Sequence, residues 1–165
     1  MPGKANAVAS GKQLVDAVVA LGRDLNLEVL TNFRLARRIW GAERYIDVIL
    51  IHPQTRKTLG VECKYQGGGG SAEEKIPSTI DDISAWPIPG IVVFSGVGFT
   101  MNMRHYLIST GKAVELEEVR PWFCLFFGLP LEQSSKPAKL KKMAEKEPDY
   151  LLELKSPPLP PRQIS

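Results

Sequence analysis

Apolar residues recur along the chain at two different periods, and the switches between those periods divide it into elements. Leu14, Val18, Leu21 and Leu25 fall on one helical stripe, which predicts a first helix over Gly11–Leu25. A strand is expected next, around Glu28–Arg37. Tyr45–Ile51 is dominated by β-branched and other apolar residues and is stopped by His52-Pro53-Gln54-Thr55, so it reads as a buried strand running into a turn. Thr58–Gln66 reads as its hairpin partner. Side chains alternate across a strand, so Glu62, Lys64 and Gln66 share one face while Val61, Cys63 and Tyr65 share the other.

Gly67–Gly70 is a run of glycines too free for regular structure, either a loop that closes over a substrate or a plain linker. It lacks the Gly-Lys-Ser/Thr ending of a phosphate-binding P-loop. Ser71 with Glu74 makes a capping box that opens a helix over Ser71–Trp86, delimited by Pro87, with Pro77 near its first turns. Gly90–Gly96 reads as a fully buried strand, the inner partner of Val61–Tyr65. A helix around Asn102–Ser109 and a short strand over Ala113–Leu116 follow. Trp122–Phe127 is a dense apolar and aromatic run whose periodicity alone does not distinguish helix from strand. From Ser134 the composition turns basic and then proline-rich. Residues 1–133 are therefore read as one α/β domain and 134–165 as a flexible tail, with a short helix around Lys139–Lys146.

The chemistry-bearing residues lie in the predicted hairpin. Asp47 interrupts an apolar run, and pairing through a turn near Gln54 brings its carboxylate to that of Glu62. Two carboxylates that close repel, and a buried one without a partner costs several kcal/mol, so a cation is expected between them. All-oxygen ligands suit Mg2+, with Mn2+ able to substitute. Lys64 would orient the attacking water or stabilise charge in the transition state. The site is thus expected to hydrolyse phosphodiesters.

Asp47 followed by Glu62-Cys63-Lys64 resembles the PD-(D/E)XK nuclease superfamily, the restriction-endonuclease-like fold. The resemblance spans roughly residues 10–100 and implies an α-β-β-β-α-β core with a mixed central sheet flanked by helices. It also implies Mg2+-dependent cleavage of DNA, with Asp47 and Glu62 as metal ligands and Lys64 as the catalytic cation. Ile46 stands where many members have proline before the first acid. Many members carry a further acid on the first helix; Asp16 is the candidate, either a third ligand or a solvated residue opposite the apolar stripe, and Glu28 a weaker substitute. Gln66 resembles a glutamine of some members that would bind the attacking water or a phosphate.

Arg34, Arg37, Arg38 and Arg44 precede or enter the hairpin, an arginine-rich edge that would hold a phosphate backbone, or else a solvated face. Lys75 would reach a phosphate from a helix N-terminus. Trp40 reads as packed rather than stacked on a base. His105 is a conceivable phosphate contact on a surface helix, and His52 a turn residue.

A length of 165 residues and a hydrophobic share of 44% suit a single globular core with a tail. No apolar run approaches a membrane span and the start lacks a signal-peptide core, so no membrane partner and a cytoplasmic location are expected. Cys63 and Cys124 read as small buried hydrophobes. The net charge is only +3, so any nucleic-acid argument rests on where the charge sits. DNA is the expected partner, with a possible homodimer for duplex cleavage. The alternatives are a silent DNA-binding or assembly module of the same fold and a nuclease directed at RNA.

Overall fold

In the computed structural model of the chain, the described residues are 8–37, 43–68 and 72–131, with only the backbone of 36, 37 and 72–74. The elements run α1 (Gly11–Asp24), β1 (Glu28–Arg37), β2 (Glu43–Ile51), β3 (Thr58–Tyr65), α2 (Ala72–Ser84), β4 (Gly90–Ser95), α3 (Met101–Ser109), β5 (Ala113–Glu115) and α4 (Val119–Phe127). The five strands form one sheet in the order β1-β2-β3-β4-β5. β1, β2 and β3 are antiparallel, whereas β3, β4 and β5 are parallel. This is the α-β-β-β-α-β core with a mixed central sheet that the resemblance implied. The expected boundary at 133/134, and the tail with its helix, lie outside the described residues. Among those described, no helix is long and apolar enough to cross a membrane.

Local chemistry explains where the helices begin and end. Ser10 caps α1 by accepting the N–H of Gln13 at 3.1 Å, and the Gln13 side chain reaches back to the N–H of Ala9 at 2.7 Å. The aromatic run that periodicity left open is helical. Val119, Phe123 and Phe127 recur every fourth residue and are buried. Gly128 then takes the left-handed conformation at φ 68°, and the N–H of Leu129 returns to the Cys124 carbonyl at 2.8 Å.

Helices cover both faces of the sheet. Leu14 and Val18 of α1 and Phe123 and Phe127 of α4 pack with Val48, Leu50, Leu59, Val61, Ile91 and Val93. Ile76 and Ile83 of α2 and Leu107 of α3 pack with Ile46, Ile49, Val92 and Phe94 on the opposite face. In β3 and β4 the assignment alternates residue by residue, as an extended strand requires.

That alternation breaks at one place. Val48 and Leu50 belong to the α1 face, but Ile46, of the same parity, belongs to the α2 face. β1 changes in step: Val29 packs on the α1 face and Leu35 on the α2 face. Between them the β1–β2 pairing passes from Thr31↔Val48 to Phe33↔Ile46, skipping Asn32 and Asp47. Asn32 has φ 49°, in the left-handed region that asparagine tolerates better than other side-chain-bearing residues. Asp47 therefore sits where two strands exchange faces together.

Gly60 and Gly90, register partners on β3 and β4, make a flat seat for Trp86. A Cβ on Gly60 would meet the Trp86 ring at 2.7 Å, and one on Gly90 would meet Ile83 at 2.4 Å. Gly60→Val should therefore cost about 1–3 kcal/mol through overpacking. Gly11→Ala, where an added Cβ meets nothing within 4 Å, should be neutral or stabilising. Urea denaturation of the two variants checks this; equal midpoints would contradict the seat.

Candidate active site

The β2–β3 ladder runs from Ile51↔Thr58 to Val48↔Val61. One step beyond it, the main-chain N–H of Cys63 is met by the Asp47 side chain, whose Oδ2 accepts it at 2.8 Å. A carboxylate thus replaces a ladder carbonyl. The position is dictated by the face exchange at Asn32 and Asp47, and it pins the carboxylate at the edge of β3 beside Glu62.

Glu62 and Lys64 lie on the α2 face of β3, and Lys64 Nζ donates to Glu62 Oε1 at 2.7 Å. Their side chains are 18% and 30% exposed, so the pair is only partly screened by water. Both line a pocket of about 190 Å³ between β2, β3 and α2. Arg44 and Tyr45 enter it from β2, and Lys75, Ser78, Thr79 and Asp82 from α2. Arg44 Nη2 meets Asp82 Oδ1 at 3.3 Å and ties the strand to the helix, while Arg44 Nε is buried with no hydrogen-bond partner among the described residues.

The electrostatics are those of crowded carboxylates. Burial raises the pKa of Glu62, the Asp47 charge raises it further, Lys64 opposes both, and Asp82 adds to the rise. Burial, and then the Asp47 and Glu62 charges, push the Cys63 thiol well above its usual range, so it stays protonated and packs against the α1-side core. Among the described residues, no three His, Cys, Asp or Glu side chains gather as a metal-binding group. Asp47 and Glu62 alone offer two hard oxygen ligands. That set fits Mg2+ or Mn2+, ions that keep waters and complete their shell from phosphate oxygens, and a cation there would relieve the charge that burdens Glu62.

The structure thus brings Asp47, Glu62 and Lys64 together, with Arg44 and Lys75 lining the pocket. It does not bring in Gln66. The strand ends at Tyr65, and the Gln66 Nε2 donates to the Gly98 carbonyl at 3.0 Å while its main chain bonds to Ser95 and Gly98. That amide braces the β4–α3 loop instead of facing the pocket. Nor is Asp16 delivered. It is exposed on α1, which covers the opposite face of the sheet from Glu62 and Lys64. Glu28 is engaged by Arg56 at 2.9 Å. His52 Nδ1 accepts the turn N–H groups of Gln54 and Thr55, and His105 is exposed on α3. Arg38, Trp40, Gly69, Gly70 and Ser71 lie outside the described residues, as do the side chains of Arg37 and Glu74.

Asp82, Ser78, Thr79 and Tyr45 were not anticipated. The signal was present in α2, where Lys75, Ser78, Thr79 and Asp82 recur at three- and four-residue spacing beside buried Ile76 and Ile83.

The sequence model described as a PD-(D/E)XK nuclease superfamily domain matches residues 6–120. No curated protein matches the chain. Among solved structures, a protein of unknown function is similar with 16% identity and a TM-score of 0.45, covering 64% of this chain and 59% of that one. A repair endonuclease from Pyrococcus abyssi is similar with 11% identity and a TM-score of 0.36, covering 67% of this chain and 50% of that one. The chain therefore matches between half and three-fifths of the length of those proteins.

The raised pKa of Glu62 has a stability consequence. Folding favours its protonated form, so its contribution is complete below the ordinary carboxylate range and is lost as pH rises through the higher folded value. Glu62→Gln mimics the protonated form. In EDTA, the melting temperature of the variant minus that of wild type should be near zero in acid and grow positive toward neutral pH. A variant less stable than wild type at neutral pH would mean that the Lys64 pair outweighs burial and the Asp47 charge.

Proposed function

The chain belongs to the PD-(D/E)XK nuclease superfamily, and from that premise we propose that it is a divalent-metal-dependent endonuclease acting on DNA phosphodiester bonds. The observation that carries this reading is that Glu62 and Lys64 line one pocket while Asp47 is held on the N–H of Cys63 between them, close enough for its charge, with burial, to raise the Glu62 pKa.

Asp47 and Glu62 would hold Mg2+, which when bound supplies a Lewis acid for the phosphoryl oxygen and a more acidic water. Asp47 is already oriented by the Cys63 N–H, so it is presented without rearrangement of β2. Glu62 must shed its proton to serve, and burial and the Asp47 charge make it hold that proton more tightly than an ordinary carboxylate. Lys64, a donor on the same strand face as Glu62, would be the cation nearest the phosphoryl group. Its ammonium would stabilise the negative charge that builds on the phosphoryl oxygens. Arg44 and Lys75, at the same pocket, attract the flanking phosphates.

The test is cleavage of supercoiled plasmid and of a four-way junction in Mg2+, Mn2+ or EDTA, with a matched RNA alongside. Wild type should cut DNA only with metal, and Lys64→Ala should lose roughly 10²–10³-fold in rate, the scale of removing one transition-state donor. Asp47→Asn should lose at least as much. Cutting that survives EDTA or the Lys64 substitution contradicts the reading, and preferential cutting of RNA contradicts its substrate. The rate should also rise with pH from the acid side, because protons compete with metal for Glu62, and more steeply at limiting than at saturating Mg2+.

A further inference from the structure

We propose that Asp82 is a positioning residue for cleavage: from α2 its carboxylate holds the Arg44 guanidinium at the wall of the pocket, where Arg44 receives a phosphate oxygen of the substrate. The inference rests on the nuclease reading above and deepens it to how the substrate is seated.

The first observation is where Arg44 stands. The β2–β3 ladder ends at Val48↔Val61, and Arg44 lies beyond it, where the described ladders pair β2 with β1 alone. The β1–β2 register also shifts at this point, between Arg34 and Ala36, and Ala36 is the partner of Arg44. Such a shift re-aims the side chains beside it. A long, rotamer-rich arginine on a strand that has left its neighbour has no fixed direction of its own. Here the direction comes from the helix, because Arg44 Nη2 meets Asp82 Oδ1 at 3.3 Å. Asp82 is itself firmly placed. Its neighbour Ile83 is buried with Trp86 in the core beneath α2, and Lys75, Ser78, Thr79 and Asp82 share the helix face that lines the pocket.

The second observation is which groups of the pocket remain free to donate. The Ser78 and Thr79 hydroxyls already donate to the Lys75 carbonyl, at 2.8 and 3.0 Å. Lys64 donates to Glu62. The contact of Arg44 with Asp82 uses Nη2 alone and is not a bidentate fork, so it orients the guanidinium without occupying it. Arg44 Nε is buried with no hydrogen-bond partner among the described residues. The two side chains are 21% and 27% exposed, so water screens the pair only in part.

The third observation is that charge alone does not account for Asp82. A carboxylate in a pocket that receives phosphate repels the ligand, and the Asp82 charge also reaches Glu62, where it adds to the crowding. Simple electrostatics therefore predicts that neutralising Asp82 strengthens substrate binding. Positioning predicts the opposite. Without the carboxylate, Arg44 has to be ordered at the moment of binding, and that lost freedom weakens affinity.

The experiment is steady-state cleavage of supercoiled plasmid in saturating Mg2+ by the full chain, comparing wild type, Asp82→Asn, Arg44→Ala and the double variant. Asp82→Asn should raise KM at least about fivefold with kcat within about twofold of wild type, the pattern of lost ground-state binding. Arg44→Ala should raise KM by at least as much. The double variant should be no worse than Arg44→Ala alone, because the carboxylate acts through the guanidinium. Asp82→Glu, which keeps a carboxylate, should lie nearer to wild type than Asp82→Asn. Each comparison requires an unchanged melting temperature, and Asp82→Ser replaces Asp82→Asn if the amide variant melts lower. A KM that is unchanged or lower in Asp82→Asn, a loss confined to kcat, or losses at the two positions that multiply in the double variant overturns the inference; cutting by wild type then leaves the nuclease reading standing. If wild type cuts no DNA with Mg2+, both fail.

Discussion

Where β2 parts from β3, the main-chain N–H of Cys63 is left facing a strand that has turned away, and the Asp47 carboxylate meets it at 2.8 Å. A buried N–H without an acceptor costs about 1–3 kcal/mol, so the bond is more than a convenience for the sheet. It also fixes a negative charge beside Glu62, in a place where burial already disfavours a second one. The same hydrogen bond thus holds the hairpin together at its divergence and creates the electrostatic demand for a cation.

The rest of the site follows from that divergence. The paired exchange of faces at Asn32 and Asp47 is what opens the gap, and it works because asparagine tolerates a φ of 49° at modest cost. α2 then lies over the face that carries Glu62 and Lys64, its Trp86 end seated on Gly60 and Gly90. Asp82 draws Arg44 toward the helix. The pocket is therefore walled by elements that the two apolar cores hold in place.

Much of this was legible beforehand, for physical reasons. Asp47 is the only charge within Tyr45–Ile51, and Glu62 and Lys64 are two apart in a strand, so both the site and the shared face could be read from alternation. The order of elements was equally plain, since each strand is bounded by Gly, Pro or polar turns. The face exchange was not legible, because it depends on the backbone of Asn32, which periodicity treats as one more polar residue. Gln66 had the right spacing from Lys64, but spacing counts only while the strand lasts, and the β4–α3 loop captures the side chain one residue past its end. For Asp16, the rotation of α1 was read correctly as placing it away from the apolar stripe; which face of the sheet the helix covers is a tertiary fact. The aromatic run was ambiguous until Val119 before it and Gly128 after it were counted.

The most direct test of the account is the position of a bound metal. Crystals of the chain grown at neutral pH with Mn2+ should show an anomalous scattering peak between the Asp47 and Glu62 carboxylates, its remaining ligands water, with Lys64 beside it. A well-ordered site with no peak there, or a peak held by other residues, would contradict the claim that these two carboxylates form the hydrolytic metal centre.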